Sequence, residues 1–360
     1  MTPASLKDLR NRLKKKDEAL VRLLNERARI SLEIGGVKKQ AELNVYDPVQ
    51  ENKIYRYLNK INDGPLPDES LREIFKEILS ASRSLQMPET VAFLGPEASF
   101  SHGAAQSHFG KSTRFSPQPS ILDVFNQVER KRAQWGVVPV ENTIEGMVKL
   151  TLDRLIATQV NIMAEIFHPI THCLMSTNTN MEELKRIYSH PQALAQCQEW
   201  IRKHIPFCSL HNCESTTAAA QKALSDSEGA AIGSRNAALR YGLSILSEGI
   251  EDHQSNITRF LVIGEGTNRP TGRDKTSILF GARHQPGALY HSLEPFAQKE
   301  INLVKIESYP IKERMWEYLF FVDFDGHTDE DKIQECLADL QKQATFVKIL
   351  GSYPRGDIKS

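Results

Sequence analysis

The feature that most constrains this chain is a heptad seam beginning near its N-terminus. Leu6, Leu9, Leu13, Leu20, Leu23, Ile30, Ile34 and Val37 follow alternating steps of three and four, the spacing of one apolar stripe on a long helix. Lys16 and Arg27 hold the two remaining seam positions. A cation there needs an anion, because burying Arg27 unpaired among Leu23, Leu24, Ile30 and Ile34 would be as costly as breaking a buried ion pair. Lys38 follows about 20° round an ideal helix and roughly 16 Å further along it. Two long cations on one face suit a small dianion gripped from both ends. A pair of intramolecular salt bridges is the alternative.

The helix predicted over residues 5–40 would run roughly 50 Å, longer than a small domain is wide. Two helices that follow, over 47–62 and 69–86, are too short to cover it; the second carries Leu71, Ile74, Ile78 and Leu85 at helical spacing. A second copy of the chain is the expected partner, in a helical dimer. Arg10 lies about 25 Å from Arg27 along the same helix, out of reach of one small ligand in cis but deliverable by an antiparallel partner. Asp47 with Glu51, and Ser82 with Gln86, each share a helix face. Taken singly these are ordinary solvated pairs.

Together, Arg10, Arg27, Lys38, Asp47, Glu51, Ser82 and Gln86 resemble the all-helical chorismate mutases in residue type and spacing, over residues 5–87. The resemblance implies an intertwined dimer of three-helix protomers whose active site takes one arginine from the other protomer. It implies Arg10 and Arg27 for the two substrate carboxylates, Lys38 and Gln86 as catalytic donors to the breaking ether oxygen, and Glu51 for the ring hydroxyl. Asp47 and Ser82 complete that substrate site. Conversion of chorismate to prephenate is unimolecular, so a protein need only hold a reactive conformer and stabilise developing charge. Gln50 stands where many members of that family have arginine, so one charge beside the glutamate is missing.

The 360 residues leave room for two or three domains, and 45 basic against 45 acidic side chains argue against a nucleic-acid surface. The charged N-terminus has no apolar signal core and no apolar run approaches a membrane span, so a cytoplasmic protein is expected. Five cysteines at no disulfide-framework spacing agree with a reducing compartment. His204, Cys208, His211 and Cys213 cluster, but strand alternation sends Cys208 and His211 to opposite faces. No metal and no cofactor is expected.

After Pro88, helical periodicity gives way to short apolar runs between capped helices, an α/β pattern. Strands are predicted at 91–94, 135–140, 187–189, 230–233 and 260–263, with Ser120 and Asp123 as a capping box. The segments GPEASFSHGAA, VPVENTIEG, YSHPQALAQC and EDHQSNITRF, in this order, resemble the prephenate dehydratases across residues 90 to 265. That implies two α/β lobes around a cleft, similar to periplasmic binding proteins. It nominates Thr258 as the catalytic hydroxyl, with Glu141, Asn142, Ser189, His190, Gln196 and Phe260 about the substrate. A threonine is a poor acid, so it hydrogen-bonds the leaving hydroxyl or relays a proton, with Glu141 or His190 as the source. His190, before Pro191, also reads as a turn residue. Thr258 and Phe260 share a strand face while Arg259 points away, which assigns it to a supporting ion pair. A helix opening near 99–103 offers N–H groups for a carboxylate.

From Lys275 the predicted order is βαββαβ: strands at 277–281, 303–308, 317–324 and 346–350, helices at 287–299 and 329–343. GALYHSLEPF, INLVKIES and WEYLFFVDFDGH resemble ACT regulatory domains, which bind phenylalanine at a domain dimer interface. The resemblance implies Gly287, Ala288, Leu289, Asn302, Glu307 and Ser308 as the effector site. Tyr309 departs from the family's usual arginine.

The expected fold is thus multidomain: an all-α three-helix dimeric domain at 1–87, an α/β two-lobed domain at 90–267 and an α+β ferredoxin-like domain at 275–360. The expected function is two consecutive steps of phenylalanine biosynthesis with feedback by phenylalanine, in a homodimer or higher homo-oligomer. A non-catalytic sensor is the rival from another class, since folds do not fix function. A mutase whose middle domain only binds prephenate is the second.

Overall fold

The computed structural model describes residues 5–41, 45–310 and 318–356. Contacts divide the chain into a helical unit, which takes in residues up to Glu89 together with Phe109–Arg114, and a larger α/β unit.

In the helical unit α1 (Leu6–Gln40) is opened by Ser5, whose hydroxyl accepts from the Asp8 amide at 3.2 Å. Asp47 caps α2 (Pro48–Ile61) in the same way, taking the Gln50 amide at 2.9 Å with Pro48 in the first turn. The third helix is α3 (Asp68–Gln86). α1 packs along α3 and leaves its heptad seam outward. Leu13, Leu23 and Val37 are 63, 61 and 66% exposed. A contiguous apolar stripe of that kind marks an interaction face.

The larger unit begins with β1 (Thr90–Leu94), α4 (Phe100–Phe109), β2 (Arg114–Gln118), α5 (Ile121–Glu129), β3 (Trp135–Asn142), β4 (Gly146–Met147), α6 (Lys149–Ala157) and β5 (Asn161–Pro169). A second lobe follows: β6 (Cys173–Ser176), β7 (Arg186–Ser189), α7 (Pro191–Gln196), α8 (Gln198–His204), β8 (Ser209–Asn212), α9 (Thr216–Leu224), β9 (Gly229–Gly233), α10 (Arg235–Tyr241) and β10 (Ser244–Glu248). The chain then returns in β11 (Ile257–Gly264), which inserts between β3 and β5 to give the order β2-β1-β3-β11-β5. The second lobe's order is β10-β6-β9-β7-β8. β11 thereby carries its first residues to the mouth between the lobes.

The last module is β12 (Asp274–Gly281), α11 (Ala288–Gln298), β13 (Leu303–Pro310), β14 (Tyr318–Asp325), α12 (Asp331–Gln343) and β15 (Phe346–Pro354). Its sheet order, β13-β14-β12-β15, is the ferredoxin-like plan. The predicted start of its third strand, with Trp316 and Glu317, lies outside the described residues. One sheet face covers α11 and α12 through Ile278, Phe280, Val322 and Phe324. The other shares a buried cluster with the first lobe, where Leu279, Phe321 and Tyr353 meet Leu152, Leu155 and Ile162. β15 crosses β5 so closely that a side chain at Gly351 would place its Cβ 2.2 Å from the Ile162 carbonyl oxygen. Only glycine fits there, and its φ of 153° is also outside the range of most residues.

Candidate active and regulatory sites

In the helical unit three of the predicted polar residues, Arg27, Ser82 and Gln86, gather on the face where α1 meets α3. Arg27 Nη1 donates to Ser82 Oγ at 2.7 Å, and Gln86 Nε2 donates to Ser31 Oγ at 2.7 Å. Gly35 stands against Gln86, so closely that a Cβ there would come within 2.8 Å of it. Lys38 Nζ donates to the Val45 carbonyl at 2.7 Å. Burial lowers the pKa of the Arg27 guanidinium from its ordinary value. Asp47 is engaged as the α2 cap. Arg10 sits far along α1 on an exposed surface and does not join these residues within one chain.

Arg83 escaped the sequence reading. It is 5% exposed, pairs with Glu51 and donates to the Phe109 carbonyl at 2.6 Å, with its guanidinium 5.5 Å from the Tyr46 ring centre. Arg83 therefore supplies the charge beside Glu51 that Gln50 cannot. Burial raises the Glu51 pKa against the opposing pull of Arg83.

The α/β lobes enclose a cavity of about 490 Å³, lined among others by Asn142, Glu145, His172, His190, Gln196, Thr258 and Phe260. Thr258 and Asn142 are register partners on β11 and β3. The Asn142 side-chain oxygen takes the backbone amides of Ile144 and Glu145 at 2.9 and 3.2 Å, which fixes its Nδ2 as the donor to Thr258 Oγ1 at 2.9 Å and to Asn256 Oδ1 at 2.7 Å. Asn256 Nδ2 must then donate to Gln196 Oε1 at 3.1 Å, and Gln196 Nε2 to Glu145 Oε1 at 3.2 Å. His172 Nε2, 2.9 Å from the same Gln196 oxygen, carries the ring proton. Its Nδ1 is a buried acceptor with no hydrogen-bond partner among the described residues. Burial lowers the His172 pKa, so the ring is neutral at neutral pH.

Two of the sequence nominees do not line this cavity. Glu141 is next to Asn142 on the strand and so points the other way, where Lys305 on β13 pairs with it. Ser189 is fully buried, its hydroxyl donating to the Ile232 carbonyl at 2.7 Å. His190 lines the cavity and also caps α7. Asn256, Glu145 and His172 were missed. The first two lie inside EDHQSNITRF and VPVENTIEG, and Asn256 shares strand parity with Thr258. No sequence signal singles out His172. Arg259 faces away from the cleft to Glu165 and Asp323, as strand alternation requires.

In the last module a cavity of about 420 Å³ is lined by Ala288, Leu289, Tyr318 and Phe320 beside Gly287, the left-handed cap of α11. Ser308 is the register partner of Phe320. Asn302 and Glu307 are elsewhere. Asn302 bonds Asp325 at the opposite end of the sheet, and Glu307 shares the strand face of Lys305 and Tyr309, toward the first lobe.

A helical unit with a cation-bearing face, a two-lobed cleft with a directed amide–hydroxyl chain and a ferredoxin-like module define a two-activity enzyme with an appended regulatory domain. Family models agree: chorismate mutase type II matches residues 9–87, prephenate dehydratase 91–268 and the ACT domain 276–341. The chain is 46% identical to the bifunctional chorismate mutase/prephenate dehydratase of Aquifex aeolicus, over 97% of this chain and 98% of that one. It is 40% identical to the protein of the same name from Pseudomonas aeruginosa, with the same coverage. Among solved structures, the prephenate dehydratase of Arthrobacter aurescens in complex with L-Phe is similar at a TM-score of 0.68 and 33% identity, over 74% of this chain and 90% of that one. The chain belongs to the bifunctional chorismate mutase/prephenate dehydratase family. It rearranges chorismate to prephenate and converts prephenate to phenylpyruvate, two steps of phenylalanine biosynthesis.

Proposed function

We propose the following residue roles for the two reactions and their regulation. In the dehydratase cleft Thr258 donates a hydrogen bond to the departing ring hydroxyl of prephenate. The observation that carries this is the direction of the chain ending at Thr258: Asn142 Nδ2 can only donate, so the threonine hydroxyl accepts there and keeps its own proton for the substrate. Neutral His172 serves as an acceptor, and Glu145, linked through Gln196, is a carboxyl on the cavity wall able to feed a proton into the cleft. The openings of α4 at Ser99–Ser101 and of α9 at Ser215–Thr216 both line the cavity, and their amides suit the substrate carboxylates. The partly apolar walls, with Phe100, Met147, Val148 and Phe260, favour loss of carboxylate charge.

The mutase site is completed by a second chain laid antiparallel on the exposed seam of α1, bringing its Arg10 to Arg27, Lys38 and Gln86. Gln86 Oε1 is buried with no hydrogen-bond partner among the described residues, while Ser31 can either donate or accept. Turning that amide over presents an N–H to the ether oxygen. In the regulatory domain L-phenylalanine occupies the cavity at Ala288 and Leu289, its carboxylate on the first amides of α11. Asn302 and Glu307 reach it only from a second copy. The protein is read as cytoplasmic, in keeping with five unpaired cysteines.

The test of the cleft reading is turnover of supplied prephenate. Thr258→Ala is expected to lower dehydratase kcat by on the order of a hundredfold or more and to accumulate prephenate from chorismate. Thr258→Ser should keep most of the activity. Equal, severe losses in both would assign the residue's role to its methyl group.

A further inference from the structure

Behind the cleft, four charged side chains close a ring between the dehydratase sheet and the regulatory sheet. The ladder that pairs Thr258 with Asn142 next pairs Arg259 with Glu141. These two turn their side chains away from the cavity, toward β13 and β14, where Lys305 and Asp323 are likewise register partners. Arg259 Nη1 donates to Asp323 Oδ2 at 2.5 Å, and Lys305 Nζ donates to Glu141 Oε1 at 2.5 Å. Charge alternates round the ring, and all four line one cavity of about 510 Å³.

The two links differ in stiffness. Arg259 and Asp323 are buried, and the second Asp323 oxygen takes the Ser277 hydroxyl at 2.5 Å while Arg259 Nη2 donates to Tyr353 at 2.9 Å. That half is a buried, densely bonded network, in which Arg259 Nε also lies 2.9 Å from Glu165 Oε2. Lys305 and Glu141 keep side-chain exposures of 18 and 29%. This half can yield, and it ends one residue from Asn142, whose amide aims the Thr258 hydroxyl.

We propose that Lys305, on the regulatory strand β13, is a positioning residue for the dehydratase reaction. It holds Glu141, and through the backbone of β3 it holds the Asn142–Thr258 pair at working geometry. Displacements of about 1 Å at a reacting group lower rates by on the order of a hundredfold, so a link of this kind acts on kcat more than on substrate affinity. The proposal rests on the reading of Thr258 and Asn142 as cleft residues for prephenate.

The experiment uses the full chain and supplied prephenate. Lys305→Glu sets two carboxylates against each other, and kcat is expected to fall on the order of tenfold with KM little changed, while chorismate consumption stays at the parental rate. Combining it with Glu141→Lys restores an opposite-charge pair in reverse, and kcat should return to within about threefold of the parent. A parental kcat for Lys305→Glu, a change confined to KM, or a double variant no better than the worse single would overturn the proposal. Should Lys305→Glu fail to fold, Lys305→Met carries the test, with a lowered kcat expected and a parental kcat overturning it. Thr258→Ala separates the two layers: full activity there removes the cleft reading, whereas its loss beside parental Lys305 variants removes only the role of Lys305.

Discussion

The mutase face and the dehydratase cavity solve the problem of holding a small dicarboxylate in opposite ways. The dehydratase cavity is complete in one chain: each amide in the line from Asn142 to Glu145 has its direction fixed, and the walls come from two lobes of the same fold. The mutase face, as proposed above, is half a site. Its cations lie on a helix whose apolar seam is left to water, and Arg10 stands about 25 Å from Arg27 by helix geometry. On the proposed reading, one site forms when the chain folds and the other when two chains meet.

The largest effect that tests this contrast is on the seam. Replacing Leu20 and Leu23 with glutamate puts charge on a stripe that has no structural duty within one chain, where they are 55 and 61% exposed. Mutase turnover, followed by loss of chorismate absorbance, should drop on the order of a hundredfold or more, the loss expected when an essential donor is withdrawn. Arg27→Ala should do the same. Dehydratase activity on supplied prephenate should be retained in both. Chorismate consumption at the parental rate in the doubly substituted chain would show the site to be complete without the seam.

Protonation separates the two regions next. Burial holds the His172 pKa below the ordinary 6.5, so an unfolded chain binds a proton as pH falls through 6.5 and the folded one does not. Its contribution to stability is intact above that value and is lost as pH falls toward the folded pKa. Glu51 has the opposite sign: burial raises its pKa above the ordinary 4.5, so its contribution is intact below 4.5 and is lost as pH rises through the window above. Every tryptophan lies beyond residue 90, so tryptophan fluorescence reports the α/β unit. Its thermal midpoint should fall between about pH 6.5 and pH 5, and His172→Gln should flatten part of that slope. Identical slopes would remove His172 from the account.

Much of this was legible in the sequence because the informative residues recur at strand ends and helix faces, where spacing translates directly into side-chain direction. Thr258 against Arg259 is the clearest instance. The same rule, applied to Glu141 and Asn142, excludes one of two neighbours from the cleft, but which one depends on the pairing of β3 with β11, across more than a hundred residues of chain. Ser189 sits at a strand end as expected, and its hydroxyl is consumed by the Ile232 carbonyl on the adjoining strand. Arg83, Lys305 and Asp323 were invisible for a related reason: each is defined by a partner remote in the chain, and a lone charge at helical or strand spacing reads as solvated surface.

The smallest expected effect concerns Tyr309, where the resemblance called for arginine. Tyr309 is 6% exposed, packs with Leu152 and Leu155, and donates its hydroxyl to Asp153 on α6. The regulatory sheet grips α6 a second time through Lys348, whose ammonium donates to the Leu155 and Ile156 carbonyls at 2.9 Å each, at the end where a cation complements the helix dipole. The opposite end of α6 begins at Val148, which lines the dehydratase cavity. Tyr309 thus belongs to a link between the two domains and lines neither the dehydratase cavity nor the cavity beside Gly287. Arginine at 309 would face the Asp153 carboxylate and exchange a neutral hydrogen bond for an ion pair, so Tyr309→Arg should leave basal dehydratase activity in place. The phenylalanine concentration for half-inhibition should shift, because coupling free energies of about 1 to 3 kcal/mol are comparable with the difference between those two contacts. Inhibition curves of parent and variant, with calorimetry to measure phenylalanine binding itself, check this. Superimposable curves would show that α6 carries no signal, and absence of both heat and inhibition in the parent would leave the ACT domain a purely structural element.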